Sequence, residues 1–495
     1  HPIGTYIVKS DANKTYIMEQ EALLGYYPYA ETRIGQYING VKVATALPIS
    51  TADYKYSIPY IDIQAFEENI IKSWTDGVGC RLCSEDDLLM VWYGSRSGLV
   101  SKGMTGALGS TLMRINFSTI YNPYAFYFLQ SKYQEINTRA KGSGTPHVDP
   151  DLLWNYDFPI APMEQQKQIV DKIEELFSEL DNGIASLKTA QQQLSVYRQA
   201  LLKHAFEGKL TEQWRKDNAN KLETPEQLLA RIQTERETRY QQQLDEWQQA
   251  VKDWEAKGKE GKKPSKPAIH KPLSTISAEE LEVLPELPKE WNYIRLAEIA
   301  AINSGMSVSK NRKLADPIEV NYLRVANVQR GYLDLSEIKS MNIEMVDLPR
   351  LQLEINDVLF NEGGDLDKLG RGWIWEGQVS QCITQNHVFR ASPFVNEKYH
   401  AKFISYWGNS FGRDYFESGG KQTTNLASIN KTVLSNFPIP LPSFREQQEI
   451  VNQLEEKLSI IEQNEKEIES ALAKAELLRQ SILKKAFNGQ LVTSE

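Results

Sequence analysis

Apolar residues recur every seven positions at Ile173, Leu180, Leu187, Leu194 and Leu201, with Ile169, Leu176, Ala190 and Tyr197 at the complementary positions. Polar and charged residues fill the intervals. This spacing predicts one long helix with a coiled-coil seam, and Gly208 supplies a stop signal past its end. The pattern returns at Leu454, Ile461, Ile468, Ala475 and Ile482, with Ile450, Ala471 and Leu478 interleaved and Gly489 closing. At about 1.5 Å per residue each helix should be roughly 64 Å long. Two seams of equal length can bury each other, so the helices are expected to pair.

The two helices are copies. Phe158-Pro159-Ile160 precedes the first and Phe437-Pro438-Ile439 the second, and after a two-residue slip the copies align without gaps at an offset of 281. Ile169-Val170 matches Ile450-Val451, and residues 202–210 match 483–491 through the shared Leu-Lys-x-Ala-Phe-x-Gly-x-Leu. The sequence ahead of each helix is duplicated more loosely. A strand-like stretch at 58–63 resembles 320–325, and Asp87-Leu88-Leu89-Met90-Val91 resembles Asp357-Val358-Leu359-Phe360, each running into a Gly-rich loop. An aromatic helix, a second Gly-rich turn and Phe-Pro-Ile then follow in both. The chain reads as an α+β protein in five segments. A mixed α/β globular unit occupies 1–157 and the first long helix 158–210. A polar helical insertion with a basic, flexible linker fills 211–285, a second globular unit 286–436, and the second long helix 437–495.

At 495 residues, the length allows two to four domains, and a 41% hydrophobic fraction is enough to build their cores. The 56 Lys and Arg against 65 Asp and Glu leave a net charge of −9, which excludes holding nucleic acid through bulk positive charge alone. Three cysteines exclude a disulfide scaffold and fit a reducing compartment, so a cytoplasmic location is expected. The start shows no basic stretch followed by an apolar one, so no secretion signal is expected. The basic Gly/Pro run at 257–267 reads as a solvated tether. Catalytic motifs fail in turn. Asn122-Pro123-Tyr124 lacks the second Pro of the methyl-transfer motif; Gly420-Lys421 lacks the first Gly of a phosphate loop, and Gln422 stands where its Mg²⁺-binding hydroxyl belongs. Cys80 and Cys83 have only the distant Cys382 and His387 as further candidate ligands. No catalytic or metal residue is assigned, and no cofactor is expected on this chain.

The segment order, with Phe-Pro-Ile-Ala-Pro-Met-Glu-Gln-Gln at 158–166 and Phe-Pro-Ile-Pro-Leu-Pro-Ser-Phe-Arg-Glu-Gln-Gln at 437–448, resembles the DNA-specificity subunit of type I restriction-modification systems. Leu210-Thr211-Glu212-Gln213-Trp214-Arg215 and Leu287-Pro288-Lys289-Glu290-Trp291 strengthen the likeness, which is weakest over 1–56. The resemblance implies two target recognition domains, each reading half of a split duplex-DNA site, on an antiparallel coiled coil with pseudo-twofold symmetry. It further implies two methyltransferase subunits that bind S-adenosylmethionine, and restriction-translocase subunits as further partners. Reading bases needs donors and hydroxyls on close-approach loops. In the first unit Tyr93, Ser95, Arg96, Ser97, Lys102, Lys141, Ser143, Thr145 and His147 qualify. In the second, the candidates are Arg324, Asn327, Gln329, Arg330, Lys368, Arg371, Lys421, Gln422, Thr423, Thr424 and Asn425. The competing reading is a coiled-coil scaffold whose globular units bind protein.

Overall fold

The computed structural model describes residues 44–45 and 57–492, except 118, 143, 262, 310–312, 365–367, 420, 424 and 425. Contacts divide the chain into two compact units, His1–Ala190 with Lys466–Glu495, and Gln191–Glu465.

In the first unit, strand Ile58–Ile61 runs parallel to Gly106–Leu108, while Leu88–Val91 lies antiparallel between Val100–Lys102 and Leu112–Ile115. The four-residue apolar run is needed because both faces of Leu88–Val91 are covered. Leu88 and Met90 point into a core shared with Tyr124 and Phe128 of helix Asn122–Thr138, and Leu89 and Val91 into one shared with Ile61 and Phe66. The second unit repeats the plan. Strand Pro317–Leu323 runs parallel to Cys382–Thr384, and Val358–Asn361 pairs antiparallel with Val388–Pro393. Val358 and Phe360 face one core and Leu359 the other.

The repetition extends to a buried aspartate and the arginine beside it. Asp87 precedes the first unit's central strand and accepts from Ser84 N at 2.7 Å; Asp357 does the same from Glu354 N at 2.8 Å. On the neighbouring strand Arg114 lies 4.0 Å from Asp87, and Arg390 3.7 Å from Asp357. The register is identical: Leu89 is opposite Arg114, and Leu359 is opposite Arg390.

Each long helix, Met163–Phe206 and Phe444–Phe487, has 44 residues. In the first unit Ile169, Val170, Ile173 and Phe177, from the start of one helix, share a core with Ile482, Leu483 and Ala486, from the end of the other. In the second, Leu201, Ala205 and Phe206 meet Ile450, Val451, Leu454 and Ile461. Start against end in both units means the helices run antiparallel, as expected. Equivalent arginines cross the seam: Arg198 reaches Glu465 at 2.8 Å, and Arg479 pairs with Asp181 while lying 4.5 Å over the Phe177 ring.

The seam is not uniform. Leu454, Ile461, Ile468, Ala475 and Ile482 are all buried, as are Ile173 and Leu201, but Leu180, Leu187 and Leu194 are only partly covered. Tyr197 and Leu478, expected at complementary seam positions, are 49% and 51% exposed. A straight helix drifts about 20° per heptad against a seven-residue repeat, which turns flanking positions outward.

The insertion also differs from expectation. Its helix Pro225–Ala256 starts at a Thr224–Gln227 capping box and buries Leu228 and Ile232 in the second unit's core. Arg231, Arg236 and Arg239 pair with Glu397, Glu298 and Glu354 at 2.8, 3.0 and 2.7 Å. The run at 257–267 is no free tether. It returns along the helix, where Trp247 Nε1 donates to Pro264 O at 3.1 Å and Lys266 lies 5.7 Å over the Trp247 ring. Two indoles with apolar faces and one donor each give the return segment its track.

Candidate nucleic-acid interface

The two loops picked out in the first unit come together. The turn after strand Leu88–Val91 is joined to the Gly-rich turn through Gly94 N to Pro146 O at 2.8 Å, and Tyr93 bridges to His147, their rings 6.1 Å apart. Lys141 and His147 exchange backbone bonds of 2.9 and 2.8 Å. Asn137, on the aromatic helix, donates to Ser95 O and Ser97 O at 2.9 and 3.0 Å. Gly98 sits at φ +91 with its would-be Cβ 2.5 Å from Ile136, so only glycine lets the loop lie this close to the helix. The result is a fixed turn that leaves Ser95 and Arg96 exposed.

Arg96 pairs with Glu67, and Lys141 with Asp149 at 2.8 Å and Asp151 at 3.5 Å. The hydrogen bond that Lys141 donates to Asp149 holds its ammonium above the ordinary pKa. Thr145 is exposed. Two candidates are placed elsewhere. Ser97 is completely buried, and Lys102 points to the long helix, 3.3 Å from Glu174. Ser143 lies outside the described residues.

The second unit joins the corresponding loops. Gly363–Gly364 pairs with Leu426–Ser428, which also pairs with Lys421–Thr423, and Ile429 N donates to Glu362 O at 2.8 Å. Arg371 sits on this edge, its carbonyl bonded to Asn361 N at 3.0 Å; Lys368, just before it, is half-buried. Arg324 pairs with Glu337 at 2.6 Å, which holds that carboxyl below its usual range. Gln329 is half-buried and Arg330 exposed, on a loop tied to the same edge through Gly331 N to Gly372 O at 3.2 Å. Asn327 is only 3% exposed and is structural: it accepts from Arg324 N at 3.0 Å and donates to Asp334 O and Glu337 O. Lys421, Gln422 and Thr423 lie on their strand; Thr424 and Asn425 fall outside the described residues.

Sequence reasoning missed Asn386 and His387 on the turn between strands Cys382–Thr384 and Val388–Pro393. His387 Nδ1 lies 2.8 Å from Glu362, and His387 O accepts from Glu362 N at 2.9 Å. The polar run Gln385-Asn386-His387 between two apolar strands was the available signal.

The motifs carrying the family likeness converge on Glu446, 1% exposed. It accepts from Thr211 Oγ1 at 2.8 Å, Arg215 Nε at 2.8 Å and Trp291 Nε1 at 2.9 Å. Three stretches far apart in sequence thus satisfy one buried carboxylate. At the equivalent point of each helix start, Gln166 donates to Ala161 O at 2.7 Å and Gln447 to Pro442 O at 2.8 Å. Among the described residues no group of three His, Cys, Asp or Glu is placed to hold a metal ion. Burial pushes the Cys83 and Cys382 thiols up to about 11 and about 12.

This duplicated scaffold, with its paired loops, is that of a DNA-specificity protein. The family model described as the type I restriction modification DNA specificity domain matches residues 7–189 and 288–471. The chain belongs to that family and carries its domain twice. The two matches begin at the same offset as the helix repeat, and the first takes in most of the stretch before residue 57, where the family likeness was weakest. The MjaVIII type I restriction enzyme specificity subunit of Methanocaldococcus jannaschii is 23% identical over 480 residues, 94% of this chain and 87% of that protein. The EcoDI specificity subunit of Escherichia coli is 22% identical over 373 residues, 75% of this chain and 70% of that protein. A solved chain from work on complex assembly and conformational transition of the type I restriction-modification system shares the fold. Its TM-score is 0.56 at 16% identity, covering 91% of this chain and 98% of that one. No described helix is long and apolar enough to cross a membrane.

Proposed function

We propose that each unit reads one half of a bipartite duplex-DNA target, that the paired helices set the distance between the halves, and that the chain performs no chemistry itself. Two methyltransferase subunits dock on it and bring S-adenosylmethionine; restriction subunits complete the assembly. The observation carrying this reading is the duplicated pair of loops, each joined by antiparallel backbone bonds, with cationic and amide residues in their sequences. A second duplication supports two copies of one partner. Val196 and Tyr197 are 61% and 49% exposed on the first long helix, and the equivalent Leu477 and Leu478 are 72% and 51% exposed on the second. Adjacent large apolar side chains left in solvent at the same point of both copies suit an apolar protein surface.

The deciding experiment exchanges residues 286–436 for the corresponding segment of a relative and maps the methylated sites made by the reconstituted complex. One half-site should change while the other stays. If both halves or neither change, the units do not read separately.

A further inference from the structure

In each unit an arginine of the reading edge is held by a carboxylate in the free protein. Arg96, 51% exposed, pairs with Glu67, and Arg324 pairs with Glu337 at 2.6 Å, the carboxylate itself 67% exposed. Neither pair holds its loop in place. The first loop is already fixed by Asn137 and by the bond from Gly94 to Pro146, and the second by Asn327. Glu67 sits on helix Ile63–Glu68, which Asp62 caps independently. One partner of each pair is more than half exposed, while Glu67 is 22% and Arg324 26% exposed. Ion pairs that open to solvent contribute little to stability, so their recurrence at the two reading edges calls for another account.

A guanidinium has five donors in a planar fork, enough to keep one edge on a carboxylate while the other faces a second acceptor. What that second acceptor is then matters. The O6 and N7 atoms of guanine are neutral and can share the arginine with the glutamate. A backbone phosphate is an anion and would approach the carboxylate across the same guanidinium, so it must either displace the glutamate or bear its repulsion. Non-target DNA offers mainly phosphates, whereas the target offers a base edge in the right place.

We infer that Glu67 and Glu337 are specificity-determining residues, whose charge turns Arg96 and Arg324 away from phosphates and toward neutral base edges. This rests on the reading of these loops as DNA-contacting. Neither glutamate need touch DNA; each acts through its arginine.

The test uses the complex assembled with methyltransferase subunits, comparing a duplex carrying the mapped site with one lacking it, across a salt series. Glu67→Gln and Glu337→Gln keep side-chain shape and remove the charge. Each should raise affinity for the non-target duplex by about two- to fivefold and steepen its salt dependence by up to about one ion. Affinity for the target should change less, so the ratio between the two falls. Arg96→Ala and Arg324→Ala are run alongside. If the arginine variants lose target binding while the glutamine variants leave the non-target duplex unmoved, the inference is overturned and the loop reading stands. An equal rise on both duplexes also overturns it, as a bulk charge effect. Arginine variants that bind both duplexes normally would remove the loop reading and the inference together.

Discussion

Arg215 donates through Nε to Glu446 at 2.8 Å with both side chains almost wholly out of solvent, and its guanidinium lies 5.3 Å over the Trp291 ring. A buried charge deprived of its partner is costly, whereas the intact pair need not be strongly stabilising. Glu446→Ala should therefore destabilise the second unit by about 3–5 kcal/mol. The equivalent Gln165 is a half-buried neutral residue, and Gln165→Ala should cost far less. Denaturant unfolding of the two variants checks the contrast, and equal losses would mean the buried charge is not what matters.

His400 supplies a pH dependence. It is buried, donates from Nδ1 to Gln447 Oε1 at 2.8 Å, and stacks edge-on to Phe444. Burial lowers its pKa from the ordinary 6.5 to about 4. The unfolded chain thus binds the proton more tightly, so the contribution is complete above pH 6.5 and is lost as pH falls toward 4. Between pH 7.5 and 5 the loss is about 2 kcal/mol. Asp357 opposes it: burial raises that carboxyl to about 6, adding stability as pH falls from about 6 toward 3.8. Comparing His400→Asn with the parent chain isolates the histidine. The variant should lose less stability than the parent on acidification, by that same amount, in thermal unfolding at the two pH values.

The exposed pairs on the long helices predict partner stoichiometry. Tyr197→Asp should remove one methyltransferase subunit from the assembly, Leu478→Asp the other, and the double variant both. Native mass spectrometry counts them. All positions are solvent-exposed, so folding should be unaffected within about 0.5 kcal/mol.

A heptad inserted in each helix at the partly covered middle of the seam keeps the apolar register and adds about 10 Å along the helix. That is about three base pairs of B-DNA at 3.4 Å each. The preferred spacer between half-sites should lengthen by a few base pairs while both half-site sequences persist. Genome-wide mapping of methylated sites decides it, and an unchanged spacer would show that the helices do not set the distance.

What was legible in the sequence was periodic or repeated. The seven-residue interval revealed both helices, and the looser likeness of residues 87–91 to 357–360 paired Asp87 with Asp357 before any contact was visible. Their partners Arg114 and Arg390 were not found, because cross-strand register fixes no separation along the chain. Ser97 and Asn327 were misjudged for a related reason. A polar residue on a loop after a strand looks solvent-facing, but here the loop folds onto Ile136 in one case, and in the other the amide ties the turn together. The basic run at 257–267 was read from composition alone, which cannot reveal that Trp247 and Trp254 wait along the preceding helix.

Ile482, Leu483 and Ala486, at the end of the second long helix, lie in the same core as Tyr124 and Phe128. The first unit to leave the ribosome is consequently the last to be finished. Some 275 residues separate Ala190 from Lys466, roughly 15–60 s of synthesis at typical rates, during which one face of that core has no cover. A nonsense mutation ahead of Ile482 would therefore injure the first reader, and a chaperone holding the nascent chain would have most to protect in the unit made earlier.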